Sequence, residues 1–314
     1  MTAIECTALS KDFPVGFWRP RPRRALDKLS LQVEAGEIFG FLGHNGAGKT
    51  TTLKLLLRLV YPTSGSARIL NLPIGDPRLA AQIGYLPETP YFYDYLTCRE
   101  LLSYYAELSG VPAATRPAAV LSALRRLGME PHADLSLRKC SKGMLQRVGL
   151  AQAIVHQPRV IFLDEPMSGL DPLGRREVRD LMLQLKAEGA TIFFSTHILS
   201  DAEQICDRVA ILHRGRLRGM GRLDELLAEP RPEFEVIWAP LPGRAQPDAW
   251  AQSAQLLSQN GQRRSVVAAT ELWNWLDALR TQGGSLLSVT PLRRSLEEVY
   301  FQEAGTTPTP GDVA

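Results

Sequence analysis

The chain has 314 residues, 45% hydrophobic and 22% charged, and its 36 Lys+Arg against 33 Asp+Glu leave a formal net charge of +3. These proportions fit an ordinary globular protein of about two domains at roughly 150 residues each, and they exclude both global disorder and a strongly basic nucleic-acid binder. Cys6, Cys98, Cys140 and Cys206 form no C-x-x-C pair, so neither a disulfide framework nor a zinc ribbon is expected, and a reducing, cytosolic compartment is the default.

The amino terminus, MTAIECTALSKDF, carries charges in its first dozen residues and lacks the apolar core of a secretory signal. No segment approaches the about 18 uncharged apolar residues of a membrane span, so any membrane role is expected to come through a partner. Short strands are predicted in IECTAL, LSLQV and EIFGFL, the last ending in a glycine-rich turn, as the start of a mixed or parallel sheet. Between the first two, FPVGFWRPRPRR reads as a loop: Pro14, Pro20 and Pro22 break regular structure, and Arg19, Arg21, Arg23 and Arg24 concentrate positive charge in a solvated arm.

From Gly48, KTTTLKLLLRL has helical spacing and stops before Pro62. A strand pair follows near residues 66–70 and 82–86. The stretch of about 89–158 is then mostly helical, with TCRELLSYYAELSG, RPAAVLSALRRLG and SKGMLQRVGLAQAIVHQ each ended by Gly or a nearby Pro. Strand character returns in VIFLD and, after a helix around 175–186, in TIFFSTH. Near Pro230 a Pro-rich joint opens a small α+β module: strand EFEVIW, a helix around 249–257, strand RSVVAA, a helix around 272–279, strand SLLSV and a final helix SLEEVYFQEA. A polar tail from Gly305 has the composition of a disordered segment.

The segment Gly43-His44-Asn45-Gly46-Ala47-Gly48-Lys49-Thr50 satisfies G-x-x-x-x-G-K-[ST] between a predicted strand and helix. Its glycines let successive N–H groups curl toward phosphate oxygens, and the helix start adds a favourable dipole. Lys49 is expected on the β- and γ-phosphates and Thr50 on Mg²⁺, with the next residue, Thr51, also in the nucleotide site. His44 occupies a variable loop position at which only the backbone need matter. VIFLD ends in Asp164 and Glu165 before Pro166; one acid there can hold the metal and the other can polarise an attacking water.

Between those two sites, Cys140-Ser141-Lys142-Gly143-Met144-Leu145-Gln146-Arg147 resembles the L-S-G-G-Q-x-Q-R signature of ABC-type ATPases. Ser168-Gly169-Leu170-Asp171 resembles their D-loop, and His197 their switch histidine, in the family's order over roughly residues 1–230. The resemblance implies a P-loop NTPase of ABC type, α/β, with a β-subdomain and a helical subdomain (about 89–158). An α+β accessory domain (231–304) and a tail (305–314) complete the chain. It also implies a head-to-tail pair of copies around two Mg²⁺-ATP. In that pair Ser141 and Gly143 cover the partner's nucleotide, Glu165 is the general base, His197 contacts the γ-phosphate and Asp171 communicates across the pair.

The signature departs from the family at Lys142 and Met144. In IGYLPE, Glu88 stands where the family has its Q-loop glutamine and is assigned to the metal or the lytic water. Phe13 matches the adenine-stacking position, with Phe17 or Trp18 as alternatives. The YLPE segment, the aromatic run Tyr91, Phe92, Tyr93, Tyr95 and the closing Ser295–Tyr300 resemble the ATP-binding subunit of ABC-2-type exporters. That implies a separate membrane permease as partner, a place at the cytoplasmic face of the membrane and no direct nucleic-acid contact. The alternatives, a soluble ABC ATPase acting on ribosomes or DNA and a P-loop kinase, lack respectively the fused cassettes or coiled coil and an account of Ser141, Gly143 and His197.

Overall fold

The computed structural model describes residues 1–16, 21–228, 230–239, 255–256 and 262–304. Strands β1 (Thr2–Val15) and β2 (Arg21–Glu34) pair antiparallel as one long hairpin. Its base turns Ile4, Cys6, Leu9, Leu29, Leu31 and Val33 into the core. The segment expected to be a proline-broken loop is therefore strand up to Val15 and again from Arg21, with Pro14 and Pro22 opposite each other in register. They are tolerated because β1 has a second neighbour only as far as Ser10. Beyond that point the arm is two-stranded, and a missing outward N–H breaks no ladder bond. Of the arm's arginines, Arg24 is paired with Asp12 at 2.5 Å and Asp27 at 2.7 Å. Phe17, Trp18 and Arg19 lie outside the described residues.

Next come β3 (Ile38–Leu42), α1 (Lys49–Leu56), β4 (Ser64–Ile69), β5 (Leu72–Pro73) and β6 (Ile83–Leu86). The two strands expected as a pair, β4 and β6, belong to different sheets: β4 joins β1 in an antiparallel sheet of order β2-β1-β4-β5. The helical segment follows as α2 (Cys98–Leu108), α3 (Arg116–Arg126) and α4 (Lys142–Ile154). Thr97 and Glu100 start α2 with a reciprocal capping box. Cys98 and Cys140, distant in sequence, meet here with sulfurs 3.9 Å apart as free thiols.

The chain then returns through β7 (Val160–Asp164), α5 (Pro172–Ala187), β8 (Thr191–Thr196), α6 (Leu199–Ile205), the hairpin β9 (Arg208–His213) and β10 (Arg216–Arg222), and a short α7 (Leu223–Leu226). The second sheet has the order β10-β9-β3-β8-β7-β6, parallel from β9 to β6 with β10 antiparallel at its edge. β3, β7 and β8 are buried along their whole length, as their unbroken apolar runs require. One apolar core joins both sheets to α1: Leu9, Leu26 and Leu29 share it with Leu53, Leu56, Phe39, Phe41, Phe162 and Phe193.

By chain contacts, Met1–Leu223 with the stretch from Tyr300 forms one compact unit and Asp224–Val299 another. The second holds β11 (Pro230–Ala239), β12 (Gln255–Leu256), β13 (Arg263–Ala268), α8 (Leu272–Thr281) and β14 (Ser285–Arg293), in an antiparallel sheet of order β12-β13-β11-β14. Its core gathers Val236, Trp238, Val267, Leu272 and Leu279. The helix expected around 249–257 falls mostly outside the described residues, and its described part, Gln255–Leu256, is strand, held by pairing with Arg264 and Arg263. The last helix, α9 (Leu296–Ala304), crosses the division between Val299 and Tyr300. Among the described residues no helix is long and apolar enough to cross a membrane.

Phe193 is the hub of the central sheet's aromatic packing, fully buried with ring centroids 5.4 Å from Phe39, 5.2 Å from Phe41 and 5.7 Å from Phe162. Phe193→Ala is expected to cost about 3–5 kcal/mol through the cavity it leaves. Urea unfolding of the full chain reads this directly, and a loss under about 1 kcal/mol would show that the neighbouring rings close the gap.

Candidate functional site

Ligands of open parallel sheets gather at the carboxyl ends of the strands, and here three adjacent strands, β3, β8 and β7, end side by side. β3 runs into the loop Gly43–Gly48. Gly48 takes φ +114° at the N-cap of α1, and a Cβ there would meet Ala25 O at 2.8 Å. Only glycine lets the loop pass that close to β2. No side chain caps α1 and its first turn carries no acid, so its leading N–H groups face outward for an anion.

Lys49 is 5% exposed, and its ammonium donates to Gly43 O at 2.6 Å while standing 3.1 Å from Glu165 Oε1. β7 brings up Asp164 and Glu165, which are 1% and 6% exposed. The Ser195 hydroxyl donates to Asp164 Oδ1 at 2.5 Å, and the Glu165 N–H donates to the same hydroxyl at 3.1 Å. β8 supplies that serine, which is register partner to Asp164, and then His197, whose Nδ1 is 2.8 Å from Glu165 Oε2. This contact occupies Nδ1 and leaves Nε2 for a ligand. Glu165 itself has φ +52°, a strained conformation of the kind held at reactive centres. Burial, and then the charge of Asp164, push the nearby Tyr85 phenol up to about 12 and keep it neutral.

Of these groups Gly48, Lys49 and Glu165 border a cleft of about 820 Å³. That is room for a nucleotide-sized ligand. Phe13, His44, Asn45, Gly46, Gly48, Lys49, Thr50, Thr51, Glu88 and Glu165 line it, as expected of a joint site, and Gly43 and Ala47 lie buried in the same loop. Six further residues along the wall, Val15, Arg23, Arg24, Ala25, Arg214 and Gly215, were not anticipated. Arg23 was hidden by the assignment of its segment to a loop. Arg214 and Gly215 form the β9–β10 turn, whose Gly215 N–H donates to Ala47 O at 2.8 Å. The apolar run VAIL, the turn at RG and the alternation in RLRGMGR would have revealed that hairpin.

Ser141, Gly143 and Asp171 do not line the cleft, nor do Asp164 and His197, which reach it only through Glu165 beside them. Ser141 caps α4 by accepting the Met144 N–H at 3.3 Å, and Asp171 caps α5 by accepting the Gly174 N–H at 2.8 Å. Lys142 lies over the segment 168–171, its ammonium 2.7 Å from where a Cβ on Gly169 would sit. Gln146, quoted within the signature but given no role by sequence, is buried and donates to Pro166 O at 2.9 Å, tying α4 to the loop that carries Glu165.

The residues present fit a hard divalent cation. Asp164 Oδ2 is buried without a hydrogen-bond partner, and Thr50 offers a hydroxyl on the cleft wall. Among the described residues no group of three or more His, Cys, Asp or Glu is built to hold a metal, so phosphate and water oxygens would complete its shell.

A family model described as ABC transporter matches residues 26–168. An ABC transporter ATP-binding protein of Synechocystis is 43% identical over 307 residues, covering 96% of this chain and 84% of that protein. The bacitracin transport ATP-binding protein BcrA of Bacillus licheniformis is 42% identical over 219 residues, 69% of this chain and 68% of its own. Among solved structures, an ATP-binding subunit of an ABC transporter superimposes with TM-score 0.63 at 34% identity over 71% of this chain and 91% of that one.

Ser195 supports both acids at once, and a polar residue inside the apolar run TIFFSTH was the signal that could have marked it. Ser195→Ala leaves Asp164 Oδ1 without its donor, while the Glu165 N–H keeps the carbonyl of residue 195 at 3.2 Å, and is expected to cost about 1–3 kcal/mol in urea unfolding. A change within about 0.5 kcal/mol would show that the acids are held by other groups.

Proposed function

The chain belongs to the ABC transporter ATP-binding family, and from that premise we propose that its cleft binds Mg²⁺-ATP and hydrolyses it with Glu165 as general base to drive a separate membrane permease. The observation that carries this reading is the line from buried Lys49 through buried Glu165 to exposed His197, with separations of 3.1 Å and 2.8 Å, beside the phosphate loop. Loop N–H groups and Lys49 bind the β- and γ-phosphates. Phe13 stacks on the adenine from the hairpin arm. Glu165, held by His197, takes the proton of the attacking water, and His197 Nε2 meets the γ-phosphate. Thr50 and Asp164, joined by Glu88, would hold Mg²⁺, which when bound offsets the charge on the phosphate oxygens.

Two copies pair head to tail, so that the signature of one covers the nucleotide of the other. Support comes from Ser141, which is exposed, and from Gly143, where a Cβ would meet nothing in this chain closer than Leu170 at 3.9 Å. The chain's own packing does not demand glycine there, which fits a need imposed from outside. Asp171, exposed at the start of α5, carries the signal between copies. Losing the γ-phosphate weakens such an interface and turns hydrolysis into opening.

The permease docks beside α2. Tyr91, Tyr93 and Tyr95 are 93%, 58% and 68% exposed, while Phe92 turns inward against Tyr105, which separates one packing residue of the run from three surface ones. Docking places the chain at the cytoplasmic face of the membrane, with export as the direction of transport and 231–304 as an accessory domain.

Glu165→Gln is expected to keep ATP binding, lower turnover by at least about a hundredfold and trap an ATP-dependent dimer on size exclusion. Wild-type turnover in that variant would remove the base assignment. Replacing Tyr91, Tyr93 and Tyr95 together by Ala should leave the chain's ATP hydrolysis intact while abolishing co-purification of a membrane permease. Undiminished co-purification would move the docking face elsewhere.

A further inference from the structure

The chemistry above makes no use of the last helix, yet that helix reaches the phosphate loop. The backbone N–H of His44 donates to the Tyr300 hydroxyl at 3.2 Å, and Tyr300 is counted with the first unit. A second contact fixes the same end of α9: a Cβ on Gly219 of β10 would come within 3.2 Å of Glu303 Cγ and Cδ, so the helix rests closely on that strand. β9, the partner of β10, in turn sets the His213 ring 5.1 Å from that of His44.

The first half of the loop is where a tether matters. His44, Asn45 and Gly46 are exposed, and Gly46 takes φ +82° with open space around the position of a Cβ. Just before them, the Gly43 N–H reaches Thr196 O only at 3.4 Å, whereas the far half is held firmly by Gly215 through Ala47 O at 2.8 Å. The Tyr300 hydroxyl takes up the N–H between those two ties. Burial raises the Tyr300 phenol, against a smaller opposing effect of the His44 N–H, so it acts as a neutral hydroxyl.

We propose that Tyr300 is a positioning residue for ATP binding: by accepting the His44 N–H it orients the peptide that leads into Asn45–Gly48 and presets the N–H groups that grip the polyphosphate. The Tyr300 contact acts on the backbone N–H, while the His44 ring makes its own contact, Nδ1 to Asn45 O at 2.7 Å. This role for Tyr300 rests on the reading of the loop as an ATP site.

The test uses the full chain, titrated with ATP and Mg²⁺ by calorimetry and assayed for turnover. Tyr300→Phe keeps the ring and removes the acceptor. It is expected to weaken ATP affinity about threefold to tenfold, raise KM in step, change kcat less and leave the thermal midpoint in place. His44→Pro removes the donor instead, and in that background Tyr300→Phe is expected to add nothing. Wild-type affinity in Tyr300→Phe, or an equal loss in both backgrounds, overturns the proposal while leaving the ATP site standing. Failure of the unsubstituted chain to bind ATP overturns both.

Discussion

Two adjacent carboxylates, Asp164 and Glu165, are buried at the end of one strand, and much of the site's architecture follows from what such charges require. Taking an ion out of water costs several kcal/mol even after relaxation, so each needs close and well-aimed partners. Asp164 finds Ser195 at 2.5 Å, and Glu165 finds Lys49 at 3.1 Å and His197 at 2.8 Å. These partners come from two segments, one around Lys49 and one holding Ser195 and His197, both distant in sequence from the acids. They converge only if β3, β8 and β7 lie side by side and parallel, with Asp164 level with Ser195. The charge arrangement and the strand order are thus one condition.

The scaffold around that condition is largely backbone. Gly48 and Gly215 both approach Ala25 O so closely that a Cβ on either would fall within 2.8 Å of it. The phosphate loop is thereby wedged between β2 and the β9–β10 turn. From the helical side, Gln146 binds Pro166 O and Lys142 lies across Gly169. A shift of α4 therefore bears on the segment carrying Glu165 through the directional Gln146 hydrogen bond.

Local chemistry made many elements legible. Unbroken apolar runs marked β3, β7 and β8, three- and four-residue spacing marked α2 to α5, and the phosphate loop declared itself by its glycines. The misreadings share a cause. Pro14 and Pro22 were taken as breakers because propensity says nothing about which strands lack neighbours, and here the arm beyond Ser10 has none on its outer side. β4 and β6 were grouped because they are close in sequence, although sheet membership is set by which faces must be buried. Gln255–Leu256 pairs with β13 against a helical reading, an override of local preference by a ready sheet edge.

The sequence alone determined which atoms are available for chemistry: an ammonium, two acids and an imidazole on the ends of apolar strands, and a loop whose glycines expose their N–H groups. Those choices are covalent and local, and spacing reveals them. The tertiary structure alone decided who meets whom. Ser195 under Asp164, Arg23 and Arg214 on the cleft wall, Gln146 on Pro166 and Tyr300 on His44 pair residues between 20 and 256 positions apart. No period or motif encodes such contacts, because they arise from closing long loops to bury apolar surface.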